Sequence, residues 1–253
     1  MLLVKASATF PPVEWLKSLG FQITKLENGC VHSVVEEKSI DLLWIPCGIS
    51  IPAAVEQFRF IVHEDVWRCR PNAVKTRIHS LLNTNKRVHG RQCVVKRINK
   101  STAEVFLNQY HTGGYVQCYF KYGLFYKDEF MACATFSKKR KFIGHPQPFF
   151  SAELLRFAVK DGFYVAGGLH KLISCFLNET GVNHLMTYAD KEWTAGRSYE
   201  KIGFIHEGDT PPLTFSVNTV SFERTVLKHP SHTLADNCYR VSNLGNKRFV
   251  LQQ

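Results

Sequence analysis

No stretch of the 253 residues reaches the roughly 18 uninterrupted apolar positions that a membrane-crossing helix needs, so no membrane span is expected. C-x-x-C pairs are missing too, which argues against a zinc ribbon or a thioredoxin-like motif. The eleven histidines show neither H-x-x-x-H nor H-E-x-x-H spacing, so no metal site is expected. Internal repeats and low-complexity tracts are lacking. The opening MLLVKASATFPP has no basic region followed by a long apolar core and does not read as a signal peptide. A soluble, cytoplasmic protein is the expectation.

What is present is ordinary globular usage, with 45% hydrophobic and 21% charged residues. A chain of this length can bury a full core without covalent staples. The eight cysteines, at 30, 47, 69, 93, 118, 133, 175 and 238, scatter through apolar surroundings and read as buried free thiols of a reducing compartment.

The net charge of +11 is unevenly spread: residues 84–141 hold twelve Lys/Arg against three Asp/Glu. Aromatics such as Tyr110, Tyr115, Tyr119 and Tyr122 interleave with these cations. Cations neutralise phosphates and aromatic faces stack on unpaired bases, so Arg91, Lys138, Lys139, Arg140 and Lys141 are candidate nucleic-acid contacts. The pattern also fits an acidic cofactor or protein surface, or aromatics alternating into a core beneath a solvated cationic face.

Prolines open a short helix over 11–19 and Gly20 stops it. Strand-like runs follow at 21–26, 30–35, 40–45 and 58–62. Pro71 opens a second helix, with Val74, Ile78, Leu81 and Leu82 at helical spacing. The polar Asn83-Thr84-Asn85 marks a boundary, giving a small αβ domain over 1–88 and a second domain over 89–253. That second part predicts a strand over 92–98, then a helix from the capping box Ser101-Thr102-Ala103-Glu104 to Tyr110. Runs 116–126 and 129–136 read as a hairpin around Lys127-Asp128, and 137–150 as an exposed loop. A strand over 153–159, a helix opened by Gly167-Gly168, a strand over 184–188 and a helix over 196–202 follow. Strands near 204–208, 213–217, 238–241 and 247–251 complete an α/β (α+β) class: a mixed sheet flanked by helices.

Residues 153–208 carry the chemistry. A strand feeds a glycine turn that opens a helix, and such a turn aims backbone N–H groups and the positive helix end at an anion, which suits a pyrophosphate. A Gly-Gly pair also simply makes a tight bend. Further on, Ser198-Tyr199-Glu200-Lys201-Ile202-Gly203-Phe204 forms a helix exit. Here the chain resembles the GNAT superfamily of acyl-CoA-dependent N-acyltransferases over about 91–226. That family carries a glycine-rich pyrophosphate loop after its fourth strand and an aromatic-x-x-x-Gly-Phe exit after its fifth. Residues 164–169 read Y-V-A-G-G-L against the family's R/Q-x-x-G-x-G/A.

The resemblance implies acetyl-CoA or another acyl-CoA, held at Val159, Ala166, Gly167, Gly168, Leu169, His170 and Lys171. It implies an oxyanion-binding N–H on a distorted fourth strand near Val159. It implies Tyr199 as the acid for the leaving thiolate, with Glu153, Asp190 or His111 accepting the amine's proton. Each residue also has a plainer reading: Tyr199 packing beneath the sheet, Glu153 pairing with Arg156, Asp190 capping a turn, His111 ending a helix.

Tyr188-Ala189-Asp190, Trp193, Gly196 and Tyr199 further resemble the GNAT-like domains of phage and Mom-type DNA-modification proteins, which implies a base amine as acceptor. Residues 58–82 look like the end of a phage endonuclease-like module. Its acidic cluster is reduced to Glu36, Glu37 and Asp41 beside Lys38, so no nuclease activity is expected. A silent nucleic-acid-binding module, and an acyltransferase acting on a protein or small amine, remain the alternatives.

Overall fold

A computed structural model describes residues 10–52, 58–141, 148–229 and 233–252. In chain order the elements are α1 (Val13–Ser18), β1 (Gln22–Lys25), β2 (Val31–Val35), β3 (Ile40–Ile45), β4 (Phe60–His63), α2 (Glu64–Cys69), α3 (Pro71–Leu81), β5 (Lys86–His89), β6 (Val94–Arg97), α4 (Lys100–Tyr110), β7 (Phe120–Tyr126) and β8 (Glu129–Phe136). Then come β9 (Arg140–Lys141), β10 (Phe150–Val159), β11 (Phe163–Ala166), α5 (Gly168–Thr180), β12 (His184–Asp190), α6 (Arg197–Glu200), β13 (Ile205–Asp209), β14 (Thr214–Asn218), β15 (Arg224–Val226), β16 (Cys238–Ser242) and β17 (Asn246–Gln252). The class is a mixed α/β one, with helices flanking sheets.

Contacts divide the chain into two units. Among the described residues, one holds those up to Pro71 with Asp190–Ala195 and Thr210–Asn246; the other holds Asn72–Ala189, Gly196–Asp209 and the end of the chain. This differs from the expected division at 88/89. Residues 72–88 join the second unit, where β5 pairs in parallel with β11, Lys86 to Phe163 through His89 to Ala166.

In the first unit β1–β2–β3–β4 form a sheet, antiparallel except for the β3–β4 pair. β3 reads IDLLWI and is buried at every position but Asp41, as a central strand covered on both faces must be. β15–β14–β16 form a separate antiparallel sheet. Helix α2, unforeseen because its sequence is largely polar, packs Trp67 against Trp15 and Trp44. Glu36 and Glu37 lie exposed in a one-turn helix, and Asp41 is hydrogen-bonded to His32 at 2.6 Å, so the acidic remnant is a solvated turn beside a His–Asp hydrogen bond.

In the second unit the sheet order is β13–β17–β12–β10–β8–β7–β6, with β9 beside β10. β10 and β12 run parallel. The hairpin turns through Lys127 (φ 47°) and Asp128 (φ 63°), the doubly left-handed turn that matches strand twist. Helix α5 buries Leu172, Ile173, Phe176 and Leu177 on one face, with Phe176 stacked 4.0 Å from Phe136. Helix α4 covers the opposite face, packing Ala103, Phe106 and Leu107 on Cys133 and Ala158.

Its cap is Asn99, whose side chain accepts the Thr102 N–H, not Ser101 as the capping box suggested: the helix begins two residues earlier. Lys138, Lys139, Arg140 and Lys141 are exposed as expected, but Arg140 and Lys141 pair with β10; residues 142–147 of the expected loop lie outside the described residues. No helix among the described residues is long and apolar enough to cross a membrane. All eight cysteines are free of disulfides, but only Cys30, Cys93 and Cys133 are buried, the other five being half-buried; burial pushes the Cys133 thiol up to about 12.

Candidate active site

β10 pairs with β12 only over 151–154 against 184–187, while its pairing to β8 runs on to Val159. The β8 register slips at Leu155: Leu154 faces Phe136, but Arg156 faces Thr135. One extra residue on β10 is a β-bulge, which bends the strand and increases its twist. The parallel pairing ends where the bulge begins. Thr187 Oγ1 donates to the Leu154 carbonyl at 3.0 Å across this last paired step. Lys160 N–H donates to Met131 on the β8 side, so strand alternation turns the backbone of Phe157 and Val159 toward the β12 side. The distortion sits at Leu155, upstream of the expected place near Val159.

Tyr199 is brought to the same point. Gly196 before it has φ +85°, and a Cβ there would lie 2.1 Å from Phe249 Cζ, so only glycine lets this backbone close onto β17. The half-buried Tyr199 ring packs 5.7 Å from Phe204 and 5.6 Å from Phe249. Thr187, the residue that closes the β10–β12 pairing, acts on its phenol. Burial raises its pKa, against the opposing pull of Thr187, Arg77 and Arg156. The packing on Phe204 and Phe249 is the plainer role weighed from sequence.

Arg156, weighed from sequence only as a partner for Glu153, is the centre of the remaining polar groups. Its Nε donates to Gly114 O at 2.9 Å and its Nη1 to Leu155 O at 2.8 Å. A Cβ on Gly113 would stand 3.4 Å from both Arg156 Nη2 and His111 Nδ1. His111 ends α4, and its Nδ1 accepts the Gly113 N–H at 3.0 Å. Glu153 is half-buried; burial raises its pKa while Arg156 and Arg140 lower it. The Arg156 charge thus acts on both Glu153 and Tyr199, and Arg156 and His111 both border Gly113. Arg77 on α3 was missed, because its helix reads as plain core pattern.

Asp190 does what the plainer reading proposed. Its Oδ1 accepts the Glu192 N–H at 2.9 Å, and its carbonyl accepts those of Trp193 and Thr194. It faces Glu192, Arg224 and His63 in the first unit, and burial followed by the Glu192 charge pushes it up to about 7.

At the glycine turn, Gly167 takes φ +74° as the cap of α5. A Cβ on Gly168 would meet Val165 Cγ1 at 2.9 Å and Leu124 Cδ2 at 3.1 Å, so the missing side chain lets the helix sit close on the sheet. The first-turn amides of α5, at Gly168, Leu169 and His170, have no partner within the helix. Gly167 and His170 are exposed, Ala166 and Leu169 half-buried. These residues suit a diphosphate at one helix end.

Lys171 is engaged elsewhere. Its Nζ donates to Gly90 O at 3.1 Å and to Cys93 O at 2.5 Å, tying residues 90–93 to α5 rather than facing an anion. Gly90 lies against the turn, where a Cβ would be 2.9 Å from Ala166 O.

Among the expected nucleic-acid contacts, Arg91 is exposed, and Lys139 donates to Thr180 O at 2.9 Å at the end of α5. Among the described residues no group of three His, Cys, Asp or Glu side chains is disposed to hold a metal. An open groove of about 410 Å³ runs along α4, lined by Val105, Phe106, Gln109, Tyr110, Phe130 and Lys160; none was expected from sequence as a site residue.

No protein-family model matches the chain, and no curated protein sequence does. Solved structures do resemble it. A GNAT family acetyltransferase from Elizabethkingia anophelis with acetyl-CoA bound is 14% identical, with 64% of this chain and 99% of that one covered at a TM-score of 0.36. The IAA acetyltransferase from Bacillus cereus is 13% identical, with 64% and 99% covered at 0.39. The ribosomal-protein-S18-alanine N-acetyltransferase from Escherichia coli is 15% identical, with 63% and 93% covered at 0.38.

Proposed function

We propose that the second unit is a GNAT-like N-acyltransferase domain that moves an acyl group from an acyl-CoA, acetyl-CoA in the simplest case, to an amine. The observation that carries this reading is the bulged β10, whose pairing with β12 stops at Thr187, the residue whose side chain acts on the Tyr199 phenol. When bound, the acyl-CoA supplies a thioester carbon for the amine and a thiolate to leave.

The chain's own residues supply the rest. The amides of Leu169 and His170, with Gly167 and Ala166, hold the diphosphate at the positive end of α5. The backbone N–H of Phe157 or Val159 donates to the oxygen that gains charge. Tyr199, kept protonated by burial, gives its proton to the sulfur. Glu153, with its pKa raised by burial, takes the amine's proton, directly or through water. His111 Nδ1 already accepts from Gly113, so the neutral ring carries its hydrogen on Nε2 and is not placed to take the amine's proton.

Calorimetric titration with a panel of acyl-CoA species tests the donor: folded protein that binds none of them refutes the reading. Tyr199→Phe is expected to lower kcat on the order of 10²-fold with the KM for acyl-CoA unchanged.

A second reading rests on exposed Arg91, Lys138, Arg140 and Lys141. They support a polyanionic partner, which makes a nucleic-acid base amine the narrower acceptor proposal and a silent nucleic-acid-binding module its competitor. Binding to DNA or RNA that weakens steeply with salt supports the partner, and turnover on it separates enzyme from module.

A further inference from the structure

We propose that the β5–β11 ribbon is a binding surface for single-stranded nucleic acid, with Lys86, Arg87 and Arg91 on its phosphates and the Tyr164 ring against one of its bases. This rests on the polyanion-partner reading, to which it gives a surface, and stands independently of the acyl donor. The two strands pair in parallel, with Arg87 opposite Tyr164 and Val88 opposite Val165. Paired residues point to the same side of a sheet and successive ones alternate. Val88 and Val165 are buried in the core of the second unit, so Arg87 and Tyr164 stand side by side on the outer face, with His89 next along it. Lys86, Arg87, His89 and Arg91 are exposed, as is 54% of Tyr164.

Charge on this ribbon has one sign. Residues 83–92 and 162–171 hold Lys86, Arg87, Arg91 and Lys171 and no Asp or Glu. The next carboxylate along the chain, Asp161, is matched by His79 at 3.0 Å. Among the described residues, no hydrogen bond or ion pair engages the side chains of Lys86, Arg87, Arg91 or Tyr164. Cations in a row without carboxylates fit a chain of phosphates. The tyrosine decides the kind of chain: a protruding ring beside a guanidinium is a stacking platform for an unpaired base, whereas duplex bases are closed within their own stack and an acidic polypeptide has no base to stack. The surface is also set before a ligand arrives. Lys171 Nζ donates to Gly90 O at 3.1 Å and to Cys93 O at 2.5 Å, fixing the backbone on either side of Arg91, while β11 holds β5. Binding then costs less ordering entropy.

Fluorescence anisotropy of the full chain with a labelled oligothymidine of about twelve nucleotides tests this, with oligouridine, a duplex of equal length and polyglutamate as further arms. Both single strands are expected to bind about tenfold tighter than the duplex at matched salt, and polyglutamate more weakly than either. The logarithm of the binding constant should fall with that of the salt concentration at a slope of about −2, and Arg87→Gln or Arg91→Gln should make the slope shallower by about 0.7. Tyr164→Ala should weaken single strands about tenfold at unchanged slope, while Tyr164→Phe keeps the affinity. Duplex or polyglutamate bound as tightly as the single strands, or Tyr164→Ala without effect, overturns the inference. Affinity that responds to Lys138→Gln and Lys141→Gln but not to Arg87→Gln places the polyanion on another face and overturns the inference while the partner reading stands. Displacement by acetyl-CoA, with Arg87→Gln weakening both ligands alike, assigns these cations to the cofactor and also overturns it. Folded protein that binds no polyanion overturns the partner reading, and the inference falls with it.

Discussion

Asp190→Asn should make the protein more stable in alkali and leave it unchanged in acid. The first unit buries His63, Glu64, Asp65 and Glu192. Arg68 grips Glu64 through Nε at 2.8 Å and Nη2 at 2.6 Å. Arg224 grips Asp65 at 2.5 and 3.0 Å. With both guanidiniums so matched, Asp190 and Glu192 face each other, and His63 Nε2 lies 3.2 Å from Glu192. Two carboxylates so placed do not both ionise cheaply, and they titrate as a pair.

Asp190 is the one pushed up, to about 7 from an ordinary 3.8. A folded pKa above the unfolded one favours the folded state below the unfolded value. That support disappears as pH rises through the folded value. The window here is therefore pH 4 to 7. The full penalty above it is about 4 kcal/mol, and losing the attraction of Arg224 and His63 returns part of that, so about 3 kcal/mol is the expected gain from asparagine. Asparagine keeps the Oδ1 that accepts the Glu192 N–H.

Thermal melts of both proteins at pH 4 and pH 8.5 read the effect: about 6–12 °C higher for the variant at pH 8.5 and near zero at pH 4. An equal shift at both pH values, or none at pH 8.5, refutes the charge argument. A stable variant that loses turnover a hundredfold would instead make Asp190 the proton acceptor and displace Glu153.

Gly196→Ala should cost about 3 kcal/mol or more, because its Cβ meets the Phe249 ring and φ +85° disfavours it; urea unfolding that shows less than about 1 kcal/mol contradicts the fit. Thr135 Oγ1 is buried with no hydrogen-bond partner among the described residues, so Thr135→Val should gain about 1 kcal/mol in the same assay, and a net loss would mean that the hydroxyl has a partner. Asn99→Ala should cost about 1 kcal/mol and Ser101→Ala almost nothing; the reverse order would restore the capping box as the start of α4.

Local rules made most elements legible. Short strand-like runs gave β1 to β4, the Lys127-Asp128 pair gave the hairpin, and the apolar stripe from Leu169 to Leu177 gave α5. Pairings between distant segments were not legible. β5 (KRVH) and β11 (FYVA) are four residues each, and each is a strand only because the other lies beside it. The same holds for the split first unit: nothing local in 190–195 says that it packs with residues before Pro71.

The candidate site divides along the same line. Tyr199 and the Gly167-Gly168 turn follow from short motifs whose geometry is set within a few residues. The bulge at Leu155 exists only in the register between β10 and β8, and no property of ELLRFAV taken alone fixes which residue is extra. One signal was available: an arginine flanked by Leu154-Leu155 and Phe157-Ala158-Val159 must find acceptors, and burying its charge without them is costly. Arg156 finds them in the carbonyl at the bulge and in the loop that follows α4. A charged residue that breaks the pattern of a core strand therefore marks where the strand itself is irregular, and in this chain the irregularity and the candidate chemistry coincide.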